Sequence, residues 1–314
     1  MKFLLSILVI FSSSIFAMEL IPKMTLMGVN GNSPVAGEPL KLEIKFSGHH
    51  HTHKMFMRMH EKMMHLIIIS EDLERFSHVH PVYDKKTGKF SLTLNAKHVD
   101  PDNKDAEYAM DKPGKYFLFF ETMPMTMDND EPPVMRMDKL SFEFEERSYK
   151  TLVKKTSNSV VKYFDKNWNE TFEESKFKIS FSYENFDFCD FYKPKFYFHI
   201  EELLESGEYV GIEKQSLSKW LGMGGHGILI NNDGIAIEEK SLFHLHGFLP
   251  MSTPGFFTLP FHSHNNKLSR GNYKIWGQFK IGDAVRTIDF SFYYDFPEID
   301  ESFYFSKNLC FHRE

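Results

Sequence analysis

The sequence predicts an all-β protein that consists of two tandem immunoglobulin-like β-sandwich domains related by an internal repeat. Short segments rich in Ile, Phe, Thr, Tyr and Val recur along the chain, bounded by Gly, Pro, Asp or Asn, which is typical of antiparallel strands. The same order of segments occurs twice, and helical periodicity is weak throughout. Each copy has about six to seven such segments, the number expected for a sandwich of this type.

The first copy opens with a strand candidate at residues 39–46. The segments that follow are MHLIIIS (64–70), FSHVHP (76–81), KFSLTL (89–94), KPGKYFLFFE (112–121) and KLSFEF (139–144). Phe90, Leu92 and Leu94 alternate with polar residues, so we expect them to share one buried face. These segments define a first domain over residues 18–145.

The second copy opens with a candidate at residues 177–184. It continues with GHGILI (225–230), LFHLHG (242–247), FFTLPF (256–261), SRGNYKIWGQF (269–279) and VRTIDFSF (285–292). Phe290 and Phe292 should share a face of the last strand. We expect a second domain over residues 173–314, joined to the first by a more polar connector at 146–172.

The N-terminal residues 1–17 are typical of a signal peptide. Lys2 precedes the apolar run FLLSILVIF, and Ala17 provides a small residue before a cleavage point. The run is shorter than the roughly 20 residues of a spanning helix, so we expect export to the periplasm or beyond without membrane insertion.

A net charge of −6 argues against a nucleic-acid partner. A metal ion and another envelope protein are the partners that remain.

The two cysteines, Cys189 and Cys310, limit the chemistry of any metal site. An oxidising compartment allows a disulfide between them, and two free thiols are the alternative. A thiolate site needs more cysteines than this. The ligands of a metal site must therefore come from His, Met and carboxylate side chains.

Histidines are placed at matching positions in both copies. If the loop 71–74 is centred between Asp72 and Leu73, His65 lies opposite His80 and Ile67 opposite His78. His65, His78 and His80 then project from one side of the hairpin. His226, His244 and His246 repeat the pattern, with His226 opposite His246. These six histidines are the predicted metal ligands, against the alternative that they only pack or form hydrogen bonds.

Methionines favour copper over zinc, which is the alternative ion. Ten of the 17 methionines lie in two windows, 55–64 and 123–137, and strand counting places both windows at the pole of the first histidine set. Thioether sulfur selects Cu(I), whereas imidazole also accepts Cu(II) and Zn(II). Methionines that fill core gaps are the alternative. Additional candidate ligands are His60, Met59, Met64 and Met125.

Two further histidine groups are treated separately. HHHTH (49–53) is either a metal-capturing loop or a solvated polar loop. His262 and His264 follow a strand that runs in the other direction, so we expect them at the opposite pole of the second domain, outside the site.

The segments MHEKMMHLIIISEDLERFSHVHP (59–81) and WLGMGGHGILI with FHLHG (220–247) resemble a family. The first is similar to the MHLIVVS-DL-x-F-HxHP stretch of exported bacterial YtkA-like or FixH-like sandwich domains, and the second to the YLGAMGHLV and FLHVHP stretches of their second half. The resemblance covers most of residues 35–145 and 174–293. The resemblance implies heavy-metal handling and supports His60, His65, His78, His80, His226, His244 and His246. The chain departs from the family at Gly247, where the family has proline, and in the insertion around 123–137.

The sequence therefore predicts a copper carrier or buffer in the cell envelope, and no catalytic motif stands out. Two alternatives remain. In an envelope structural or interaction module, His65 and His80 would be buried and bonded to backbone groups. In a metal-dependent enzyme, a pocket and a carboxylate would lie beside the histidines.

Overall fold

The computed structural model describes residues 21–47, 56–124, 135–144, 160–185, 194–232, 242–250, 253–261 and 268–295. The chain divides into two compact units, Met1–Thr151 and Leu152–Glu314. The predicted all-β fold is confirmed: antiparallel sheets form sandwich-like structures, and the immunoglobulin-type detail stays a prediction. Several predictions fall outside the described residues, namely the signal peptide 1–17, the loop 49–53, Met125, Cys189, Cys310, His262 and His264.

The first unit contains two four-stranded antiparallel sheets. The strands are β1 (Ile21–Gly28), β2 (Leu40–Ser47), β3 (Met64–Ser70), β4 (Phe76–Val79), β5 (Val82–Asp84), β6 (Lys89–Leu94), β7 (Gly114–Thr122) and β8 (Arg136–Phe144). One sheet has the order β1-β2-β6-β5, and the other has the order β4-β3-β7-β8. A 3-10 helix, Pro101–Tyr108, packs beside β4.

Alternating apolar side chains of the two sheets form the core of the first unit. Phe90, Leu92 and Leu94 of β6 are buried together, as predicted, and meet Leu66 and Ile68 of β3. Since successive strand residues point to opposite faces, this alternation gives each sheet an inner face and an outer face.

Strand β3 is buried on both of its faces. Met64, Leu66 and Ile68 point into the core, and the intervening residues on the outer face, His65, Ile67 and Ile69, are equally buried. A continuous apolar run is typical of strands covered on both sides. The histidine in this run therefore lies in a covered position on the outer face, away from the contact between the two sheets.

The second unit repeats this plan with additional strands. The strands are β9 (Val160–Phe164), β10 (Glu170–Thr171), β11 (Phe177–Asn185), β12 (Pro194–Leu203), β13 (Tyr209–Gly211), β14 (Leu217–Ser218), β15 (Gly225–Asn231), β16 (Leu242–Gly247), β17 (Phe256–Pro260), β18 (Gly271–Ile281) and β19 (Ala284–Tyr294). One sheet has the order β10-β9-β11-β12-β13, with β17 also paired to β12. In the other sheet, β18 pairs with β14, β15 and β19, and β15 pairs with β16.

Each segment predicted as a strand overlaps an observed strand, and two differences concern the second unit. Strands β9 and β10 lie within residues 146–172, predicted here as connector, and β9 pairs with β11. Residues 160–164 and 170–171 of the predicted connector therefore belong to a sheet of the second unit. Strand β12 lies between β11 and β17, whereas the equivalent strands of the first unit, β2 and β6, pair directly.

Among the described residues, no helix has the length and apolar character needed to cross a membrane.

Candidate metal centres

The β3–β4 hairpin brings the first three histidines together. Leu66 pairs with Val79 and Ile67 with His78, which is the predicted register. His80 directly follows β4, and continuing the same register places it opposite His65. Ring contacts among all three histidines confirm that the side chains converge: the centroids lie 5.2 Å apart for His65–His78, 4.9 Å for His65–His80 and 4.8 Å for His78–His80.

The ligand atoms of His65, His78 and His80, the first triad, are close enough to surround an ion. One ring nitrogen from each histidine lies within 4.8 Å of the others. His65 Nδ1 and His78 Nε2 are only 3.0 Å apart and share a hydrogen bond. Nitrogens bound tetrahedrally at about 2.0–2.1 Å from a metal lie about 3.3–3.4 Å from each other. Small rotations of the rings, together with movement of the His78 proton from Nε2 to Nδ1, would therefore convert this hydrogen-bonded cluster into a coordination site.

Two backbone carbonyls fix the tautomers of His65 and His80. The Met59 carbonyl oxygen lies 3.0 Å from His65 Nε2, and the Asp102 carbonyl oxygen lies 2.9 Å from His80 Nδ1. A carbonyl oxygen only accepts, so both of these ring nitrogens carry the proton. In the neutral rings, His65 Nδ1 and His80 Nε2 are then the lone-pair nitrogens, which is the arrangement that outer hydrogen bonds impose on metal-binding histidines.

The 3-10 helix also holds the backbone of His80, which lies beyond the end of β4. The His80 N–H donates to Asn103 Oδ1 across 2.7 Å, and Asn103 Nδ2 donates to the His80 carbonyl oxygen across 3.4 Å. Asn103 is buried, and its side chain pairs with the His80 backbone as a neighbouring strand would. Sequence reasoning missed this residue, because its contact with His80 depends on the conformation of the intervening loop.

The first triad is buried, and burial favours the neutral form of His65 and His80. His65, His78 and His80 are 0%, 1% and 3% exposed. Burial lowers the pKa of His65, and the nearby carboxylate of Glu121 only partly opposes this effect. Burial, followed by the proximity of His78 and His65, lowers the pKa of His80 well below its usual value. Neutral imidazole is the form that binds a metal ion.

Glu121 is a buried carboxylate beside the triad that the sequence did not predict as a site residue. It lies on β7 directly opposite His65 and is 2% exposed. Directly opposed residues of antiparallel strands project from the same face, with Cβ atoms about 4.5–5.5 Å apart. Glu121 can be identified only from the register in which β3 pairs with β7. Counting strands along the sequence does not give that register.

The two methionine windows meet at the end of the sheet that carries the first triad. The Met57 N–H donates to the Met123 carbonyl oxygen across 2.9 Å, and Phe56 forms a bridge with Pro124. The prediction that both methionine windows lie at the end of the sheet that carries the first triad is thus confirmed for Met57 and Met123. Met137 lies opposite Glu121 on β8 and shares the face of the triad.

Among the additional candidate ligands, the prediction that Met64 is a metal ligand is wrong. It precedes His65 on β3, so its side chain points to the opposite face and packs in the hydrophobic core. Met59 contributes its backbone carbonyl to His65. The His60 ring contacts that of His65, with centroids 6.2 Å apart, and lies beside the triad.

The second triad, His226, His244 and His246, has the same arrangement on β15 and β16. His226 pairs with His246, as predicted, and Ile228 pairs with His244. One nitrogen of each ring lies within 4.8 Å of the others. His226 is fully buried, its ring contacts Trp220 edge to face at 4.9 Å, and it lies opposite the buried Gln278 of β18.

The same tight turn precedes both triads. Met59 and Lys62 exchange backbone hydrogen bonds of 2.7 and 3.0 Å, and Trp220 and Met223 exchange bonds of 2.8 and 3.0 Å. Two central residues with positive φ are typical of a turn that follows the twist of antiparallel strands. They are His60 (46°), Glu61 (71°), Leu221 (50°) and Gly222 (77°). The first turn places the Met59 carbonyl oxygen within hydrogen-bond distance of the His65 ring. This turn is therefore part of the first site.

A family model described as "Domain of unknown function (DUF8832)" matches residues 23–127. The matched segment contains the whole first triad, Glu121 and Asn103. A comparison with curated proteins gives no match. The resemblance to YtkA-like or FixH-like domains stays a prediction.

Proposed function

We propose that the protein is an exported metal-binding protein of the bacterial cell envelope, which carries or buffers copper and catalyses no reaction. Zinc is the alternative ion. The observation that carries the proposal is the first triad, in which three buried imidazoles converge and two of them are oriented by backbone carbonyls. Export rests on the N-terminal segment 1–17, and another envelope protein is the expected recipient or donor of the ion.

The hydrogen bonds around the triad favour ion binding over simple packing. The structural alternative also predicts buried His65 and His80 bonded to backbone groups, and both of these bonds are present. Each bond uses only one nitrogen of its ring. The other nitrogen of His65 lies 3.0 Å from His78 Nε2, and the other nitrogen of His80 carries its lone pair. A metal ion would replace the His65–His78 hydrogen bond and leave both carbonyl contacts in place.

Copper is favoured by the donor set and its surroundings. Imidazole-rich sites bind Cu(II) more tightly than Zn(II) in the usual order of divalent ions. Met137 shares the face of the first triad, and Met57 is 37% exposed at the same end of the sheet. Thioether sulfur at these positions would assist Cu(I), the reduced form of the same element.

Binding without turnover is favoured by the burial of the first triad. Three protein ligands leave one coordination position open, which suits both exchange of an ion and metal-assisted hydrolysis. The three histidines are at most 3% exposed, so a substrate has little surface to approach. A small ion or a single ligand atom from a partner needs far less access.

Metal titration of the mature protein tests the proposal. We expect two ions per chain for Cu(II), measured by competition with a chromophoric chelator and by elemental analysis. His78→Ala with His80→Ala should lower this to one. His98→Ala is the matched control, because His98 donates to the Thr93 carbonyl oxygen and belongs to neither triad.

The other double variant, His244→Ala with His246→Ala, should also retain one ion. Circular dichroism and thermal unfolding establish that each variant is folded. An unchanged copper and zinc stoichiometry in both folded double variants would contradict the proposal and support a structural role for the histidines.

A further inference from the structure

The two triads have the same histidines and different neighbours at one equivalent position. Strands β7 and β18 occupy the same place in the two units, each paired with the strand that carries the first histidine of its triad. Opposite His65 stands Glu121, and opposite His226 stands Gln278. Both residues are buried, at 2% and 0% exposure.

Each of these residues faces its triad. Directly opposed residues in antiparallel strands project from the same face, so Glu121 and Gln278 lie on the side of His65 and His226 respectively. The negative charge of Glu121 acts on the His65 ring. Gln278 is held by a hydrogen bond in which its Nε2 donates to Thr287 Oγ1 across 3.1 Å. Glu and Gln side chains have nearly the same shape, so the two positions differ mainly in the negative charge of Glu121.

A buried charge matters more to a divalent ion than to a monovalent ion. Three neutral imidazoles leave the full charge of the ion uncompensated in a low-dielectric environment, which is costly for a divalent ion. One neighbouring carboxylate reduces a charge of +2 to +1, or a charge of +1 to zero. Because the Coulomb energy is proportional to the product of the charges, the carboxylate attracts a divalent ion twice as strongly.

We infer that the residue opposite the first histidine of each triad sets the charge of the ion that the site prefers. Glu121 makes the first triad a site for divalent ions, and Gln278 leaves the second triad relatively better suited to a monovalent soft ion. The inference rests on the proposed metal binding and adds a specificity to it. When both kinds of ion are available, one chain would then hold Cu(II) or Zn(II) in the first unit and Cu(I) in the second.

Zn²⁺ and Ag⁺ are suitable probes, because neither changes its oxidation state during a titration and Ag⁺ is a soft monovalent ion like Cu(I). The first triad is measured alone in the full chain with His244→Ala and His246→Ala. The second is measured alone with His78→Ala and His80→Ala. The preference of each site is the ratio of its Zn²⁺ affinity to its Ag⁺ affinity, obtained by competition with chelators.

Glu121→Gln should lower the Zn²⁺ affinity of the first triad by about 10- to 100-fold, the range seen when a neighbour of a metal ligand is lost. The Ag⁺ affinity should fall by about 3- to 10-fold, because half the Coulomb energy corresponds to the square root of the fold-change. Gln278→Glu should shift the preference of the second triad toward Zn²⁺. Glu121→Asp, which keeps the charge, should retain most of the divalent preference.

Equal Zn²⁺ to Ag⁺ ratios at the two wild-type triads would overturn the inference, as would a ratio unaffected by Glu121→Gln in a folded chain. Either result leaves the proposed metal binding intact, because both sites still bind ions. Absence of any binding at both wild-type triads overturns the proposed function and this inference together. Thermal unfolding of each variant separates a loss of fold from a change in preference.

Discussion

Asn103→Ala provides the sharpest test of how the first triad is supported. Asn103 Oδ1 accepts the His80 N–H across 2.7 Å, and its Nδ2 donates to the His80 carbonyl oxygen across a longer 3.4 Å. Loss of a partner by a buried backbone group costs about 1–3 kcal/mol, and the shorter of these two bonds should account for most of the effect. We expect the first unit to lose about 2–3 kcal/mol of its free energy of unfolding.

This loss should be visible in calorimetry and in metal binding. For a unit of this size, 1 kcal/mol corresponds to about 4 °C, so the unfolding transition of the metal-free first unit should fall by about 8–12 °C. The His80 backbone lies past the end of β4, and freeing it should lower the Zn²⁺ affinity of the first triad by about 10-fold or more. The affinity is measured in the chain that carries His244→Ala and His246→Ala.

Asn95→Ala is the matched control for this variant. Asn95 also joins two backbone segments through its amide: Oδ1 accepts the Met110 N–H across 2.9 Å, and Nδ2 donates to the Met110 carbonyl oxygen across 2.9 Å. We expect a similar loss of stability and a Zn²⁺ affinity within about twofold of the parent, because Asn95 holds no triad residue. If both variants lower the affinity equally, or neither does, the idea that Asn103 positions His80 is refuted.

Three further predictions follow from the first triad. Because burial lowers the pKa of His65 and His80 below the unfolded value near 6.5, the unfolded chain binds protons that the folded chain does not. The metal-free first unit should thus lose up to about 1.4 kcal/mol per pH unit and per histidine as pH falls through 6.5, measured by urea unfolding; constant stability between pH 7.5 and 5.5 would contradict this. Nitrogen NMR of the metal-free protein should show protonated Nε2 on His65 and protonated Nδ1 on His80, and the opposite tautomers would refute the carbonyl assignment. Met64→Leu should cost less than about 1.5 kcal/mol and leave copper affinity unchanged within about twofold, because Met64 packs in the core; a large loss of Cu(I) affinity would restore it as a ligand.

The register of the His65 hairpin could be predicted because the sequence constrains it locally. A short polar loop joins two apolar strands, and a shift by one residue would exchange the inner and outer faces of both. The pairing of Ile67 with His78 therefore followed from counting. The same alternation excludes Met64 as a ligand of a site built on His65, since neighbours on a strand point to opposite faces.

Glu121 and Asn103 could not be predicted in the same way, because their contacts depend on distant pairings. Glu121 meets His65 across strands that are separated by the β4–β6 segment and the 3-10 helix. Asn103 reaches His80 from that helix, which has no strong periodic signal. Strand β12 was missed for a related reason: it has no counterpart in the first copy, so the repeat gave no indication of it.

The two units share some features of the histidine site and differ in others. Both units keep three histidines on one face of a hairpin and the same tight turn before the first of them. The neighbours differ: Met59 corresponds to Trp220, and Glu121 corresponds to Gln278. If the histidines served only to fill space, apolar residues would do so without the cost of burying polar rings. Two such clusters, in each of which the first histidine is fully buried, are better explained by a ligand that three imidazoles bind together.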